Sequence, residues 1–209
     1  VGYWEVPADA PTAETGQWMP GPGLPFFQQM ADALGSLPLM AEDLGEITPD
    51  VIALRDTLEL PGMKILQFAF GSGPQNQFLP HTYPENCAVY TGTHDNDTTL
   101  GWYLSAPEWE RDFCRRYLGR DGSDLVWDLI RLGWSSTANF ALAPMQDLLG
   151  LDSRGRMNFP GRPSGNWSWR IPADYAHPTL AKRVHELNAL YDRLPRRPTG
   201  SVTEIESSA

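Results

Sequence analysis

Cysteine is scarce, with Cys87 and Cys114 the two thiols in 209 residues. That is too few for a disulfide framework, and the spacing does not suit a metal site. Two unpaired, partly buried thiols in a reduced cytoplasmic setting are expected instead. No run of about 18 apolar residues occurs, which excludes a transmembrane helix by length. Lys and Arg never cluster into a patch that could follow a phosphate backbone, and the net charge is -10. Nucleic acid and anionic membranes are therefore not expected partners, and a neutral ligand fits better. Gly71-Ser-Gly73 lacks the third glycine and spacing of a dinucleotide-binding turn, and no P-loop Lys-Ser/Thr follows it. No cofactor is expected. Histidine is also sparse, at His81, His94, His177 and His185. The His94-Asp95 pair therefore lacks the further ligands that a phosphohydrolase-type metal centre requires, and no metal is expected.

Apolar residues make up 41% of the chain and aromatics 11%, enough to bury a sizeable core. Strand candidates recur at Leu37 to Ala41, Met63 to Phe70, Cys87 to Tyr90 and Phe140 to Ala143, with helical patterns between most of them. Thr48-Pro49-Asp50 supplies an N-cap, a first-position proline and a first-turn acid, and Val51, Leu54 and Leu58 follow on one face. Ser105-Ala-Pro-Glu108 reads as a capping box opening a helix from Pro107 to Leu118, and a second helix is predicted from Ser123 to Leu132. Thr179, Leu180, Val184, Leu187, Leu190, Tyr191 and Leu194 outline a closing amphipathic helix. Strands alternating with helices imply βαβ units and a parallel sheet, which leaves both a doubly wound sheet and a (β/α)8 barrel open. The missing glycine fingerprint weakens the first. Four units are about half a barrel, and half a barrel leaves parallel edges unpaired. Val1-Gly-Tyr-Trp opens without a Met, a charged leader or a signal-peptide pattern, so the other half is expected to precede Val1. Residues 1–194 are read as the C-terminal part of the barrel, and 195–209 as a disordered polar tail.

In a parallel barrel the chemistry gathers at the carboxyl ends of the strands. The first apolar run ends in Ala41-Glu-Asp-Leu-Gly45 and the third in Tyr90-Thr-Gly-Thr-His-Asp-Asn-Asp-Thr98. Glycosidic cleavage needs an acid to protonate the departing oxygen and carboxylates to stabilise an oxocarbenium-like transition state. Glu42 suits the acid and Asp95 the stabiliser. The competing reading of Glu42-Asp43 is an acidic turn leading a helix. Sugars also need aromatic platforms. Trp4, Trp18, Trp102, Trp167 and Trp169 fall in stretches read as loops or strand ends, whereas Trp127 and Trp134 read as helix-to-barrel packing.

Several segments resemble, in order, those of one family. They are Tyr3-Trp-Glu-Val-Pro7, Gly16-Gln-Trp-Met-Pro-Gly-Pro-Gly23, Ala41-Glu-Asp-Leu-Gly45, Lys64-Ile-Leu-Gln-Phe-Ala-Phe70 and Phe78-Leu-Pro-His81. Tyr90-Thr-Gly-Thr-His-Asp-Asn-Asp-Thr98, Ala143-Pro-Met-Gln-Asp-Leu-Leu149, Arg156-Met-Asn158 and Gly165-Asn-Trp-Ser-Trp-Arg170 complete the set. The family is the 4-alpha-glucanotransferases of the amylomaltase or disproportionating-enzyme type. The resemblance implies a (β/α)8 TIM barrel, of which this chain supplies strands five to eight. It also implies transfer of α-1,4-glucan segments, with retention, between malto-oligosaccharides or α-glucans. By motif, Glu42 is the implied acid/base, Asp95 the transition-state stabiliser and His94 a sugar-binding neighbour. Trp18, Gln67, His81 and Asn158 are implied substrate-binding residues. The family's nucleophile is an Asp closing strand four, which is expected upstream of Val1 and would leave this stretch inactive alone. An α-amylase-like hydrolase and a non-catalytic glucan-binding module are the rival readings.

Overall fold

Two ladders organise the chain. The computed structural model describes residues 1–175 and 177–195, so most of the tail expected to be disordered, from residue 196, lies outside the described residues. The first compact unit runs from Val1 to Trp169 and the second begins at Arg170, a division inside the stretch that the sequence pattern treats as one domain.

The first ladder is antiparallel, β1 (Gly2–Glu5) against β2 (Gln17–Pro20), with Trp4 directly opposite Trp18. The two indoles meet edge to face at 5.5 Å, and Trp4 Nε1 donates to Ala13 O at 2.9 Å. Aromatic cross-strand pairs of this kind stabilise a short ladder that has little else to hold it. Helix α1 (Leu24–Leu34) follows, with Pro25 in its first turn and Gly35 past its end at φ +80°.

The second ladder is parallel and three-stranded, in the order β3 (Gly62–Ile65), β4 (Cys87–Tyr90) and β5 (Phe140–Leu142). Its register pairs Gly62 with Cys87 and Ala88 with Phe140. These are three of the four strands that the sequence predicts. The second is shorter than expected, because Leu66–Phe68 turns into a single 3-10 turn. The first, Leu37 to Ala41, is not a strand. Pro38 has no N–H to give, and Leu39 N turns back to Leu37 O, so only Ala41 N reaches the neighbouring segment, at Pro61 O.

Helix α2 (Pro49–Thr57) starts where the Thr-Pro-Asp signal places it, with Val51, Leu54 and Leu58 half-buried. The Thr48 hydroxyl donates to the Asp50 carboxylate rather than accepting from the helix backbone. The predicted capping box is not made either. Helix α3 (Thr99–Ser105), which the sequence reading missed, ends on Ser105, whose hydroxyl donates to the carbonyls of Gly101 and Trp102. Helix α4 (Glu108–Leu118) is therefore led by Pro107, and Glu108 pairs with Arg115 and Arg111 along its own helix. Helix α5 (Leu125–Trp134) starts two residues later than predicted and lays Leu125 and Leu129 into the core. A short α6 (Met145–Leu148) follows β5.

The core joins Leu66, Phe70, Leu79, Cys87, Val89, Cys114, Leu125, Leu129 and Ala138. Phe70 is its aromatic hub, fully buried, with its ring 5.9 to 6.1 Å from those of Trp102, Phe113 and Tyr117. Trp102 thus sits on α3 and packs, rather than standing at a strand end. Cys87 and Cys114 are free and buried, and burial pushes the Cys114 thiol up to about 12, so neither is a ready nucleophile. In the second unit, α7 (Pro178–Leu190) buries Leu187 and half-buries Leu180 and Val184, but Leu190 of the predicted apolar face is 62% exposed and Tyr191 and Leu194 lie past the helix end.

Truncating the hub should be costly, because the aromatic rings around it cannot fully collapse. Phe70→Ala is expected to lower unfolding free energy by about 3–5 kcal/mol in urea titrations. Leu104→Ala, at a side chain left largely in water, should stay within about 0.5 kcal/mol of the parent. Equal losses would mean that the aromatic cluster does not carry the core.

Candidate active site

A cavity of about 780 Å³ opens beside the carboxyl ends of β3, β4 and β5. Its walls include Met40, Met63, Phe68, Tyr90 and Leu142, and its polar rim is formed by Glu42, Thr93, His94, Asp95 and Asn96. Glu42 and the His94-Asp95 pair, 52 to 53 residues apart in the chain, therefore face one space. Apolar and aromatic walls with a few convergent polar groups suit a ligand that presents flat faces edged with hydroxyls.

Asp95 is held from several sides. Asn158 Nδ2 donates to its Oδ1 at 2.7 Å, Arg156 Nη2 donates to its backbone O at 2.9 Å, and its N–H reaches Thr93 Oγ1 at 3.3 Å. Arg156 also donates from Nε to Asn158 O, and its guanidinium lies 4.5 Å over the Phe159 ring. His94 Nε2 stands 3.4 Å from Asp95 Oδ1. Its ring lies 5.1 Å from that of Trp167, a residue held at φ +59°. A bulky side chain in the left-handed region is costly, and such positions concentrate at functional sites. His94 and Trp167 also line a second cavity of about 150 Å³, with Gln146, Asp147 and Met157.

The turn that carries His94 and Asp95 is pinned at both ends by a buried carboxylate. Asp147 accepts from the Thr91 hydroxyl at 2.5 Å, and from the Thr99 N–H and hydroxyl at 2.8 and 2.7 Å. Within the turn, the Asn96 carboxamide oxygen accepts from both the N–H and the hydroxyl of Thr93. Gln67 is buried and donates to Asp97 O at 2.9 Å, beneath the same turn. A side-chain carbon added at Gly92 would lie 2.4 Å from the Gln67 amide nitrogen, so that close approach requires glycine.

The remaining sequence candidates divide. Asn158 touches Asp95 directly. His81 binds Tyr117 Oη at 3.0 Å and Pro74 O at 2.9 Å, and it does not line the large cavity. Trp18 is 71% exposed on the antiparallel ladder and does not line that cavity either. The sequence reading missed Asp147 and Arg156. Asp147 is disguised by the apolar Ala143 to Leu149 stretch, although a carboxylate there is itself a signal, because a buried acid needs donors. Among the described residues no cluster of three or more His, Cys, Asp or Glu could hold a metal ion, and no helix is long and apolar enough to cross a membrane.

Parallel strands in chain order, α-helices between β4 and β5, and carboxylates at one rim fit a segment of a parallel β/α barrel with a carboxylate-bearing cleft. The 4-alpha-glucanotransferase family model matches residues 1–175. The chain belongs to that family. The 4-alpha-glucanotransferase of Thermus thermophilus is 50% identical over 200 residues, covering 92% of this chain and 40% of that protein. The chloroplastic/amyloplastic enzyme of Solanum tuberosum is 46% identical over 198 residues, covering 93% of this chain and 34% of that one. The structure of the amylomaltase from Streptococcus agalactiae in complex with acarbose superposes with a TM-score of 0.87 at 32% identity, covering 93% of this chain and 40% of that one. The chain thus spans about 40% or less of the length of these relatives.

Burial raises the Asp147 carboxyl above its ordinary 3.8, against the pull of its three donors. The folded state then holds this proton to higher pH than the unfolded chain does. The stability so contributed is complete below 3.8 and is lost as pH rises through the raised value. Asp147→Asn does not titrate, so its stability deficit relative to the parent should narrow as pH climbs through that window in urea midpoints. A deficit that widens over the same range would contradict the burial argument.

Proposed function

We propose that these residues form part of a 4-alpha-glucanotransferase that moves α-1,4-glucan segments to a glucose or glucan acceptor by retaining double displacement. The observation that carries this reading is that Glu42 and Asp95, the two carboxylates implied by the family motifs, line one cavity with His94. Family membership supports the substrate class, and the apolar walls with a polar rim suit malto-oligosaccharides.

Glu42 is the acid/base. It protonates the glycosidic oxygen as the donor's leaving portion departs, then takes the proton from the incoming sugar hydroxyl. Asp95 stabilises the oxocarbenium-like transition state electrostatically, with Asn158 and Arg156 fixing its position. His94 binds the sugar in the subsite being cleaved. A retaining mechanism also needs a nucleophilic carboxylate roughly 5 to 5.5 Å from the acid/base. We assign that role to an Asp contributed from outside these 209 residues, by the remaining barrel strands. Residues 1–209 alone should then be inactive. Trp18, Gln67, His81 and Asn158 are the further substrate-binding candidates; Trp18 leaves 71% of its surface open to a ligand, whereas Gln67 and His81 are engaged by protein partners. Two free buried thiols support a cytoplasmic setting.

The test is maltotriose disproportionation, following released glucose and longer oligosaccharides. In a longer form of the protein that includes the upstream barrel strands, Glu42→Gln should cut turnover by about 10² to 10⁴, because Gln keeps the shape but cannot deliver the proton. Residues 1–209 alone should give none. Near-normal turnover by the variant would make Glu42 structural, and transfer by residues 1–209 alone would remove the need for an outside nucleophile. Reducing ends released without transfer would favour a hydrolase.

A further inference from the structure

Glu42 lines the large cavity, yet the segment that delivers it is poorly held. Leu37 to Ala41 forms no strand, Gly45 follows at φ +95°, and Ala41 N to Pro61 O is the one backbone bond tying Ala41 to the neighbouring β3 segment. In a continuing parallel ladder the next donor on that edge of β3, Met63 N–H, would go to a backbone carbonyl. Here it goes to the Asp43 side chain, with Oδ1 accepting at 2.6 Å. The other oxygen, Oδ2, accepts from Arg55 Nη1 of α2 at 2.5 Å.

Asp43 is absent from the cavity lining, while its neighbours Glu42 and Leu44 are present. Met40, Glu42 and Leu44 line the cavity while Ala41 and Asp43 do not, the alternation that an extended backbone gives. The Asp43 side chain is only 7% exposed. A side-chain carbon at Gly62 would lie 2.4 Å from its Oδ2, so glycine at the start of β3 leaves room for the carboxylate. Arg55 is itself fixed by Asp56, which accepts from its Nε and Nη2. Met63, whose N–H is engaged, also lines the cavity.

We propose that Asp43 and Arg55 are positioning residues that clamp the segment after Ala41 to β3 and α2 and so aim Glu42 at the glycosidic oxygen. The proposal rests on the reading of Glu42 as acid/base. It predicts a selective defect. A clamp that aims an acid/base matters when a proton must be moved, and does not matter when none is needed. With maltotriose, the C1–O bond breaks as the oxygen receives a proton, and the acceptor hydroxyl must later lose one. With α-maltosyl fluoride as donor and azide as acceptor, fluoride leaves with the bonding electron pair and azide forms the C1–N bond as the enzyme carboxylate departs. Neither step needs proton transfer.

Asp43→Asn and Arg55→Met are therefore to be compared with Glu42→Gln on both substrate pairs, in the longer form of the protein, after thermal unfolding confirms that each variant is folded. Misplacing a catalytic group by about 1 Å costs on the order of a hundredfold. The two clamp variants should thus lose about ten- to a hundredfold in kcat with maltotriose, with KM little changed, and return to within a few-fold of the parent with fluoride and azide. Arg55→Met keeps the test open should Asp43→Asn not fold. Equal losses on both pairs, or no loss with maltotriose, would overturn the clamp. If Glu42→Gln itself shows no dependence on the substrate pair, the acid/base reading fails, and the clamp with it. Selectivity in Glu42→Gln without selectivity in the clamp variants overturns the clamp alone.

Discussion

Burying a carboxylate costs several kcal/mol unless donors replace its lost water, and Asp147 meets that demand with both threonines that bracket the polar turn after β4. The consequence is geometric. Thr91 closes β4 and Thr99 opens α3, so one carboxylate on α6 fixes the distance between the two ends of the turn. Everything that turn carries, His94 and Asp95 included, is referred to this point. Hydrogen bonds to charged groups contribute about 1.5–3 kcal/mol each, which is large against the marginal stability of a domain. The cavity rim can therefore be polar and open to solvent without being loose.

A second constraint acts from the opposite side of the rim. The segment before Glu42 forsakes the sheet, because Pro38 and the turn at Leu39 remove the donors that a ladder would use. Side chains take over the pairing that the backbone gives up. On each side a buried acid accepts from a backbone N–H of another element: Asp43, next to Glu42, from Met63, and Asp147 from Thr99, past the end of the turn that carries Asp95.

Much of this was legible in the sequence, for identifiable reasons. The runs at Cys87 and Phe140 have the length and β-branched or aromatic content of parallel strands, and the Thr-Pro-Asp signal at residue 48 places a helix start because proline fixes φ where no N–H is needed. The polar residues after Ala41 and Tyr90 marked the rim, since polar groups ending apolar runs must face either water or a ligand. The misses have physical causes too. Ser105 suits a cap equally well as it suits the end of the preceding helix, and α3 won because its last turn lies within reach of the hydroxyl. Leu37 to Ala41 has strand composition, but composition does not register the missing proline donor. Asn158 and Asp95 lie 63 residues apart, and no local pattern announces such a contact.

The hold on Asp95 divides into two kinds of grip. Arg156 grasps the peptide carbonyl, whose strength as an acceptor does not depend on whether the side chain is ionised. Asn158, a neutral donor, touches the carboxylate itself and does respond to its charge. The peptide and the carboxylate of Asp95 are consequently held by separate partners. A growing positive charge beside the carboxylate therefore leaves the backbone that bears it where it is.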